Sequence, residues 1–454
     1  MSDLAKIFKA YDIRGVVPDE LDETVAAAIG AAFARLTGAR AIVTVHDMRT
    51  SSAPLAEAFG RGVTGQGADV VAGGLGSTDM LYYASGVLGI PGAMITASHN
   101  PARYNGIKLC RSGAKPVGQE TGLTELREMV AAGVPDGTAP VGRIVARDLL
   151  TGYADHLKKL VDLSSIRPLK VVVDAGNGMA GHTVPTVFEG LPIDLVPMYF
   201  ELDGTFPNHE ANPIDPRNLA DLQRAVTANG ADIGLAFDGD ADRCFVVDER
   251  GEIVSPSVLT ALIARRELAG EPGATVIHNL ITSRAVPEII AESGGTPVRT
   301  RVGHSFIKAE MARTSAIFGG EHSGHFYFRD FWFADSGMLA ALHVLAALGH
   351  QDGPLSELLA QYARYAASGE INSEVTDQAG ITAQVHEIYA SRPGVTSDDL
   401  DGLTVQAPDW WFNLRPSNTE PLLRLNVEAA DQATMESLRD EVLGLVRGTP
   451  GREQ

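Results

Sequence analysis

The chain has 454 residues, 44% hydrophobic and 21% charged, an ordinary globular composition able to bury several cores. At roughly 150 residues per domain it predicts about three domains, or four. Its 57 acidic and 37 basic residues leave a net charge of −20, which argues against non-specific binding to nucleic acid or an anionic membrane and means that an anionic substrate needs locally gathered cations. Met1 to Gly15 is polar and basic, without the apolar core of a signal peptide. The longest apolar helix candidate, Met338 to Leu348, falls far short of the ~20 residues that span a bilayer, so a soluble, cytoplasmic protein is expected. Two cysteines, Cys110 and Cys244, are too few for a disulfide framework and lack metal-ligand spacing; buried strand positions are expected for both.

In chain order, Phe8 to Gly15 is strand-like. Leu21, Val25, Ile29, Phe33 and Leu36 recur at helical spacing, and Gly38 closes the helix. A strand–loop–helix–strand pattern then occurs three times, about a hundred residues apart. Its strands are Ala41–Val45, Lys170–Asp174 and Ala274–His278. Its loops are His46–Ser52, Ala175–His182 and Asn279–Arg284, and helices begin at Pro54, Val184 and Val286. This repetition predicts three related α/β domains. After Ala366 the pattern changes: Glu370–Val375, Val405–Leu414 and Leu422–Val427 read as strands and Gln432–Val446 as a closing helix, a smaller C-terminal α+β domain. The expected domains are residues 1–148, 149–251, 252–367 and 368–454, with linkers near 147–151, 248–257 and 367–369.

Several polar islands between apolar runs could carry chemistry. Thr96-Ala97-Ser98-His99-Asn100-Pro101 follows the apolar run Ile90–Ile95 and displays a serine at a strand end. It could present a nucleophile or phosphate carrier, or be a Ser/Asn turn before a proline; the G-x-S-x-G elbow of serine hydrolases is absent. Asn105-Gly106 is a hairpin signal that folds Lys108 back toward Ser98. Asp238-Gly239-Asp240-Ala241-Asp242-Arg243 lies between the apolar runs Ile233–Phe237 and Cys244–Val247. Its alternating carboxylates converge and repel one another unless a hard cation such as Mg²⁺ joins them. An EF-hand fails on Arg243, where that loop needs glycine, and on flanking strands in place of helices. Gly176-Asn177-Gly178-Met179-Ala180-Gly181 matches a dinucleotide fingerprint, but tight strand-to-helix turns favour glycine for backbone reasons as well. Gly320-Glu321-His322-Ser323-Gly324-His325 suits hydroxyl recognition, with His304 just upstream, and Arg415-Pro416-Ser417-Asn418-Thr419 suits a phosphate. Arg14, Arg243, Arg284, Arg301 and Arg415 supply the local positive charge.

Together these stretches resemble the α-D-phosphohexomutase family, in particular its bacterial phosphomannomutase/phosphoglucomutase branch. Four motifs stand in family order from Phe8 to Pro421, one per domain. The resemblance implies three topologically related mixed α/β domains and a smaller C-terminal α+β domain around a central cleft. It implies one Mg²⁺ per chain on Ser98, Asp238, Asp240 and Asp242, with Ser98 phosphorylated. It further implies catalytic roles for Lys108, Arg243 and His304, and for His99 beside the serine. Substrate is expected at Tyr11, Arg14, Glu321, Ser323, His325, Arg415, Ser417, Asn418 and Thr419. Arg284 is assigned the place of a lysine that this chain lacks. The expected reaction interconverts hexose 6- and 1-phosphates, activated by hexose 1,6-bisphosphate, in a monomer or weak dimer with no nucleic-acid or membrane partner. Mannose leads as the sugar, with glucose and glucosamine open because His322 stands where relatives vary. A Mg²⁺-dependent phosphatase of the haloacid dehalogenase type is the rival. It expects Thr or Val where Asp242 stands and leaves the serine loop unexplained.

Overall fold

The computed structural model describes residues 4–417 and 422–448, apart from the side chains of His304 and Ser305. Three of its four sheets are built alike. The first runs Ile13–Val16, Tyr104–Arg111, Gly92–Ile95, Ala41–His46, Asp69–Leu75 and Ile144–Ala146, with Lys115–Pro116 beside Tyr104–Arg111. The second runs Ile253–Val254, Cys244–Asp248, Ile233–Phe237, Leu169–Asp174 and Ile193–Met198, and the third Thr296–Thr300, Thr275–Asn279, Phe318–Gly320, Phe326–Phe328 and Ala334–Asp335.

In each sheet the expected repeat strand lies between two parallel neighbours, and the later of these hands the chain to an antiparallel return strand. The three polar islands of residues 96–103, 238–243 and 321–325 are the connections at that one equivalent point. Repetition of the fold therefore positions the site. The fourth sheet is antiparallel, ordered Ala366–Glu374, Leu422–Ala429, Trp410–Pro416, Leu403–Gln406 and Thr396–Asp398. Helices Gln378–Ala390 and Gln432–Val446 bury Val385, Tyr389, Leu438 and Val442 with Phe412 in its core.

Local chemistry sets the elements as read. Asp22 caps helix Glu23–Thr37 by accepting from Val25 N–H, and Gly38, at φ 59, ends it in a left-handed turn. Every residue of Gly337–Gly349 is buried, so this apolar run is a core helix. Among the described residues no helix is long and apolar enough to cross a membrane. One apolar core runs through the first three domains, from Met94 through Tyr153 and Phe237 to Phe318 and Leu342. The fourth domain has a core of its own. Both cysteines are buried in strands.

Three expectations are corrected. Asn105-Gly106 is not a hairpin turn but the interior of strand Tyr104–Arg111. Asn105 is fully buried and donates to Ser51 and Ser52 Oγ, and a Cβ on Gly106 would lie 2.3 Å from the Ile13 carbonyl oxygen. The chain reverses earlier, over residues 97–103, yet Lys108 still pairs across from Met94. Val405–Leu414 is two strands of a hairpin, Leu403–Gln406 and Trp410–Pro416. Residues 367–369 are not a loop linker but a bulge within strand Ala366–Glu374, where Gly369 takes φ 68.

Candidate active site

Ser98 occupies the left-handed region at φ 50, a conformation that costs a non-glycine residue energy and persists only where its surroundings impose it. The turn is tied by Ser98 N–H to Thr96 Oγ1 at 2.9 Å and Asn100 N–H to the Ala97 carbonyl at 3.0 Å. Ser98 Oγ then points across the domain boundary, donating to Asp238 Oδ2 at 2.8 Å, and lies 3.2 Å from His99 Nδ1. Burial, with Arg243 and Arg14 nearby, holds His99 well below the usual histidine range. The 238–243 loop comes so close that a Cβ on Gly239 would sit 2.5 Å from the Ser98 carbonyl oxygen. Gly178 in turn packs on Gly239, and Met179 N–H donates to the Gly239 carbonyl at 2.9 Å. Of the glycines in the dinucleotide-like stretch, Gly178 thus serves close backbone packing behind the acids, while Gly181 packs on the Phe200 backbone and Gly176 takes a left-handed turn at φ 53.

Asp238, Asp240 and Asp242 are buried, and each brings one oxygen within 4.8 Å of the others'. Asp240 Oδ1 and Asp242 Oδ1 accept no hydrogen bond. The Lys108 ammonium bridges the remaining oxygens, 2.7 Å from Asp240 and 2.6 Å from Asp242. Burial pushes the Asp242 carboxyl up, with the Asp240 charge adding to it. Burial acts on Asp240 in the same sense, but Lys108 outweighs it and brings this carboxyl below the usual range. Arg243 Nε donates to Asp238 at 2.8 Å, with both groups buried. An all-oxygen set that already gathers a cation and keeps two buried oxygens open fits a hard divalent metal ion. A second convergent set, Asp242, His325 and Asp335, is answered by Lys308, 2.5 Å from Asp335 and facing the Tyr82 ring.

These groups line a cleft of about 760 Å³ that all four domains share. Tyr11, Arg14, Ser98, His99 and Lys108 come from the first domain, Asp242 and Arg243 from the second. His325 comes from the third, and Arg415 and Ser417 from the fourth. Arg14 bonds Asp12 and Asn100 and so braces the far side of the serine loop. Glu321 lies just behind the wall, accepting from Tyr327 OH at 2.7 Å and Gly303 N–H at 3.1 Å. Ser323 Oγ is 2.9 Å from His325 Nδ1, and His325 Nε2 is 3.7 Å from Asp242. Arg415 pairs with Glu370 at 3.1 Å.

Arg284 does not reach this cleft. Its guanidinium donates to the carbonyls of Ala407 at 2.6 Å, Pro408 at 2.8 Å and Trp410 at 3.2 Å, which makes it a joint between the third and fourth domains. A polar loop arginine looks the same in sequence whichever way it turns. His304 opens the helix His304–Thr314, but its side chain lies outside the described residues, as do Asn418 and Thr419.

Sequence reasoning missed four neighbours of the site. Thr78 donates to Asp240 at 2.5 Å from the start of helix Thr78–Leu88. Asp335 and Arg424 line the cleft. Arg49 is buried beneath the serine loop. Only Arg49 left a readable trace, in Asp47-Met48-Arg49-Thr50-Ser51-Ser52, charged and hydroxyl residues directly after a repeat strand.

Comparison with known proteins agrees with the four-domain architecture. Residues 5–133, 151–251 and 255–365 match the three alpha/beta/alpha domains of the phosphoglucomutase/phosphomannomutase family, and residues 370–445 match its C-terminal domain. A Xanthomonas campestris protein named phosphohexose mutases is 41% identical over 97% of this chain and 99% of its own. An Escherichia coli phosphomannomutase is 40% identical over 97% and 99%. The crystal structure of a phosphoglucomutase/phosphomannomutase family protein from Burkholderia thailandensis superposes with a TM-score of 0.88 at 33% identity, covering 100% of this chain and 99% of that one. A putative phosphomannomutase from Thermus thermophilus gives 0.83 at 25% identity, over 99% and 100%. With four sheets, one cleft and four family domains in order along its length, the chain belongs to the phosphoglucomutase/phosphomannomutase family.

Proposed function

We propose that this protein is a phosphomannomutase, an isomerase that moves a phosphoryl group between O6 and O1 of mannose, with glucose phosphates as a second substrate pair. The observation that carries this reading is the meeting of loops from four domains on one cleft, with Ser98 Oγ 2.8 Å from Asp238. Residues 1–148 present the phosphoryl group, 149–251 the metal loop, 252–367 the sugar-gripping loop and 368–454 the distal phosphate seat.

Ser98 carries the phosphoryl group in the active enzyme. A sugar hydroxyl oxygen attacks phosphorus, the bond to Ser98 Oγ breaks, and the hydroxyl proton passes to a basic side chain; Lys108, Arg243 and His304 are the positions that stabilise charge and move this proton. The resulting hexose 1,6-bisphosphate turns over in the cleft, and Ser98 takes back the other phosphate by the reverse step. Lys108 and Arg243 bring positive charge to the transferring group, which is where most of the rate enhancement in phosphoryl transfer arises. Asp238, Asp240 and Asp242, with an oxygen of the Ser98 side chain, would hold Mg²⁺, which polarises phosphorus and offsets its charge. Arg415 and Ser417 grip whichever phosphate is distal, while the 321–325 loop, with His325 on the cleft wall and Glu321 and Ser323 behind it, reads ring hydroxyls in both orientations. Because the net charge of −20 repels anions, the substrate is gathered by the cations of the cleft, Arg14, Lys108, Arg243 and Arg415.

A coupled assay on mannose, glucose and glucosamine 1-phosphates, with Mg²⁺ and a trace of bisphosphate, tests the reading. Mannose phosphate turns over best, and Ser98→Ala loses at least about 10³-fold in kcat. It also loses the phosphate that intact mass detects on the wild type. Mutase turnover that survives Ser98→Ala defeats the mechanism.

A further inference from the structure

Arg49 is 3% exposed, and all five N–H donors of its guanidinium are used. Nε donates to Asp47 Oδ2 at 3.2 Å. Nη1 donates to the carbonyls of Pro101 and Tyr104, each at 3.0 Å, and Nη2 to those of Ser98 and Asn100, each at 2.7 Å. Asp47 is itself fixed by Arg49 N–H at 3.0 Å and Ser52 Oγ at 2.5 Å. The second domain closes over this group. The Phe206 ring stands 5.0 Å from the guanidinium carbon, and a Cβ on Gly204 would lie 2.5 Å from Arg49 Cα. The Ser98 carbonyl is thus caught between Arg49 on one side and Gly239 of the metal loop on the other.

We infer that Arg49 is a positioning residue for phosphoryl transfer, resting on the mutase reading above. It holds the Ser98 backbone in its left-handed turn from behind and does not touch the reacting group. Residues 97–104 tie themselves together with few backbone bonds of their own, Asn100 N–H to Ala97 and Tyr104 N–H to Pro101 among them. Four of their carbonyls converge on a single guanidinium. The planar fork spans four acceptors at once; a lysine ammonium, a point with three donors, cannot. Loss of the fork lets Ser98 leave φ 50 and swings Oγ away from Asp238. A displacement of about 1 Å at a reacting atom costs on the order of 10²-fold in rate. The serine must keep one geometry as a bare hydroxyl and as a phosphate ester, states that differ by nearly two charges. A clamp on the backbone carbonyls is indifferent to that change, which a side-chain contact is not.

The test uses the full-length enzyme with Mg²⁺, comparing wild type, Arg49→Lys and Arg49→Ala. Expected for both variants is a fall in kcat of about 10²-fold or more with KM within threefold of wild type. Millimolar guanidinium should restore part of the Arg49→Ala rate, and ethylammonium should not. A folded Arg49→Lys that keeps kcat within threefold overturns the role, as does a folded Arg49→Ala that guanidinium leaves unchanged. If neither variant folds, Phe206→Ala decides. A several-fold fall in kcat at unchanged KM, with faster amide exchange confined to residues 97–104, supports the role, and wild-type behaviour on both readouts overturns it. A wild type that interconverts no hexose phosphate removes the mutase reading and this role with it. An active wild type with an insensitive Arg49→Lys removes this role alone.

Discussion

The ammonium of Lys108 is 18% exposed at its side chain and lies against two carboxylates that are 0% and 2% exposed. Removing one partner of such a buried set costs about 3–5 kcal/mol, because the remaining charges stay buried and unpaired. A divalent cation on the same acids would cancel that penalty. Lys108→Met is therefore expected to melt well below wild type without Mg²⁺ and to show the larger rise in Tm when Mg²⁺ is added, since a ligand stabilises in proportion to its affinity for the folded state. Equal Mg²⁺-induced shifts in the two proteins would mean that the metal does not bind these carboxylates. At this scale the acids and the serine were legible in the sequence because each interrupts an apolar run. Arg49 left a trace as a charge after a repeat strand, but its role was not legible, because its carbonyl acceptors lie 49 to 55 residues away, brought near by the parallel pairing of Ala41–His46 with Gly92–Ile95. Arg284 was misread for a related reason: residue type announces a charge but not the direction in which a loop carries it.

Helix Thr78–Leu88 illustrates how an element can serve three domains at once. Its Asp79 is fully buried and accepts from Tyr153 OH of the second domain at 2.7 Å and Ser336 Oγ of the third at 2.6 Å, besides Ser77 Oγ. Burial pushes its carboxyl up to about 6. Because the folded chain holds this proton more tightly than the unfolded chain, the contribution is complete below the unfolded value near 3.8. It declines as pH rises through about 6, by roughly 3 kcal/mol over the window. Asp79→Asn should abolish that decline, so that the difference in Tm between mutant and wild type shifts in favour of the mutant between pH 4 and 6. A pH-independent difference would show that Asp79 is ionised throughout. Sequence revealed the elements well wherever periodicity ran into a clear stop, as from Leu21 to Gly38. It failed at Asn105-Gly106, a strong turn signal that tertiary packing recruits into a strand interior, since the asparagine's donors find Ser51 and Ser52 and the glycine admits the Ile13 carbonyl. Local turn chemistry is overruled when a buried partner offers the same hydrogen bonds.

Across the whole molecule the interfaces differ in kind. The first three domains share one apolar core, whereas the fourth meets the third mainly through polar contacts and one small cluster of Leu280, Ile281 and Trp411. Arg284 holds three carbonyls of the fourth domain, Arg299 pairs with Asp398 at 2.7 Å, and Arg301 donates to the Leu400 carbonyl at 2.9 Å. Apolar burial cannot be broken piecemeal, but a seam of arginines can open and re-form against water at small net cost and is screened by salt. On the mutase reading proposed above, the fourth domain, which brings Arg415 and Ser417 to the cleft, is the part expected to yield while a bisphosphate turns, with the other three as a frame. Arg284→Ala is expected to speed amide exchange over residues 407–410 and 426–429 while leaving the shared core unchanged. It should raise KM for hexose phosphate several-fold if, as proposed, Arg415 and Ser417 seat the distal phosphate, and added salt should produce part of the same effect in the wild type. Exchange that rises uniformly through all four domains would instead mean that the seam is integral to one cooperative fold, and the fourth domain would lose its separate mobility.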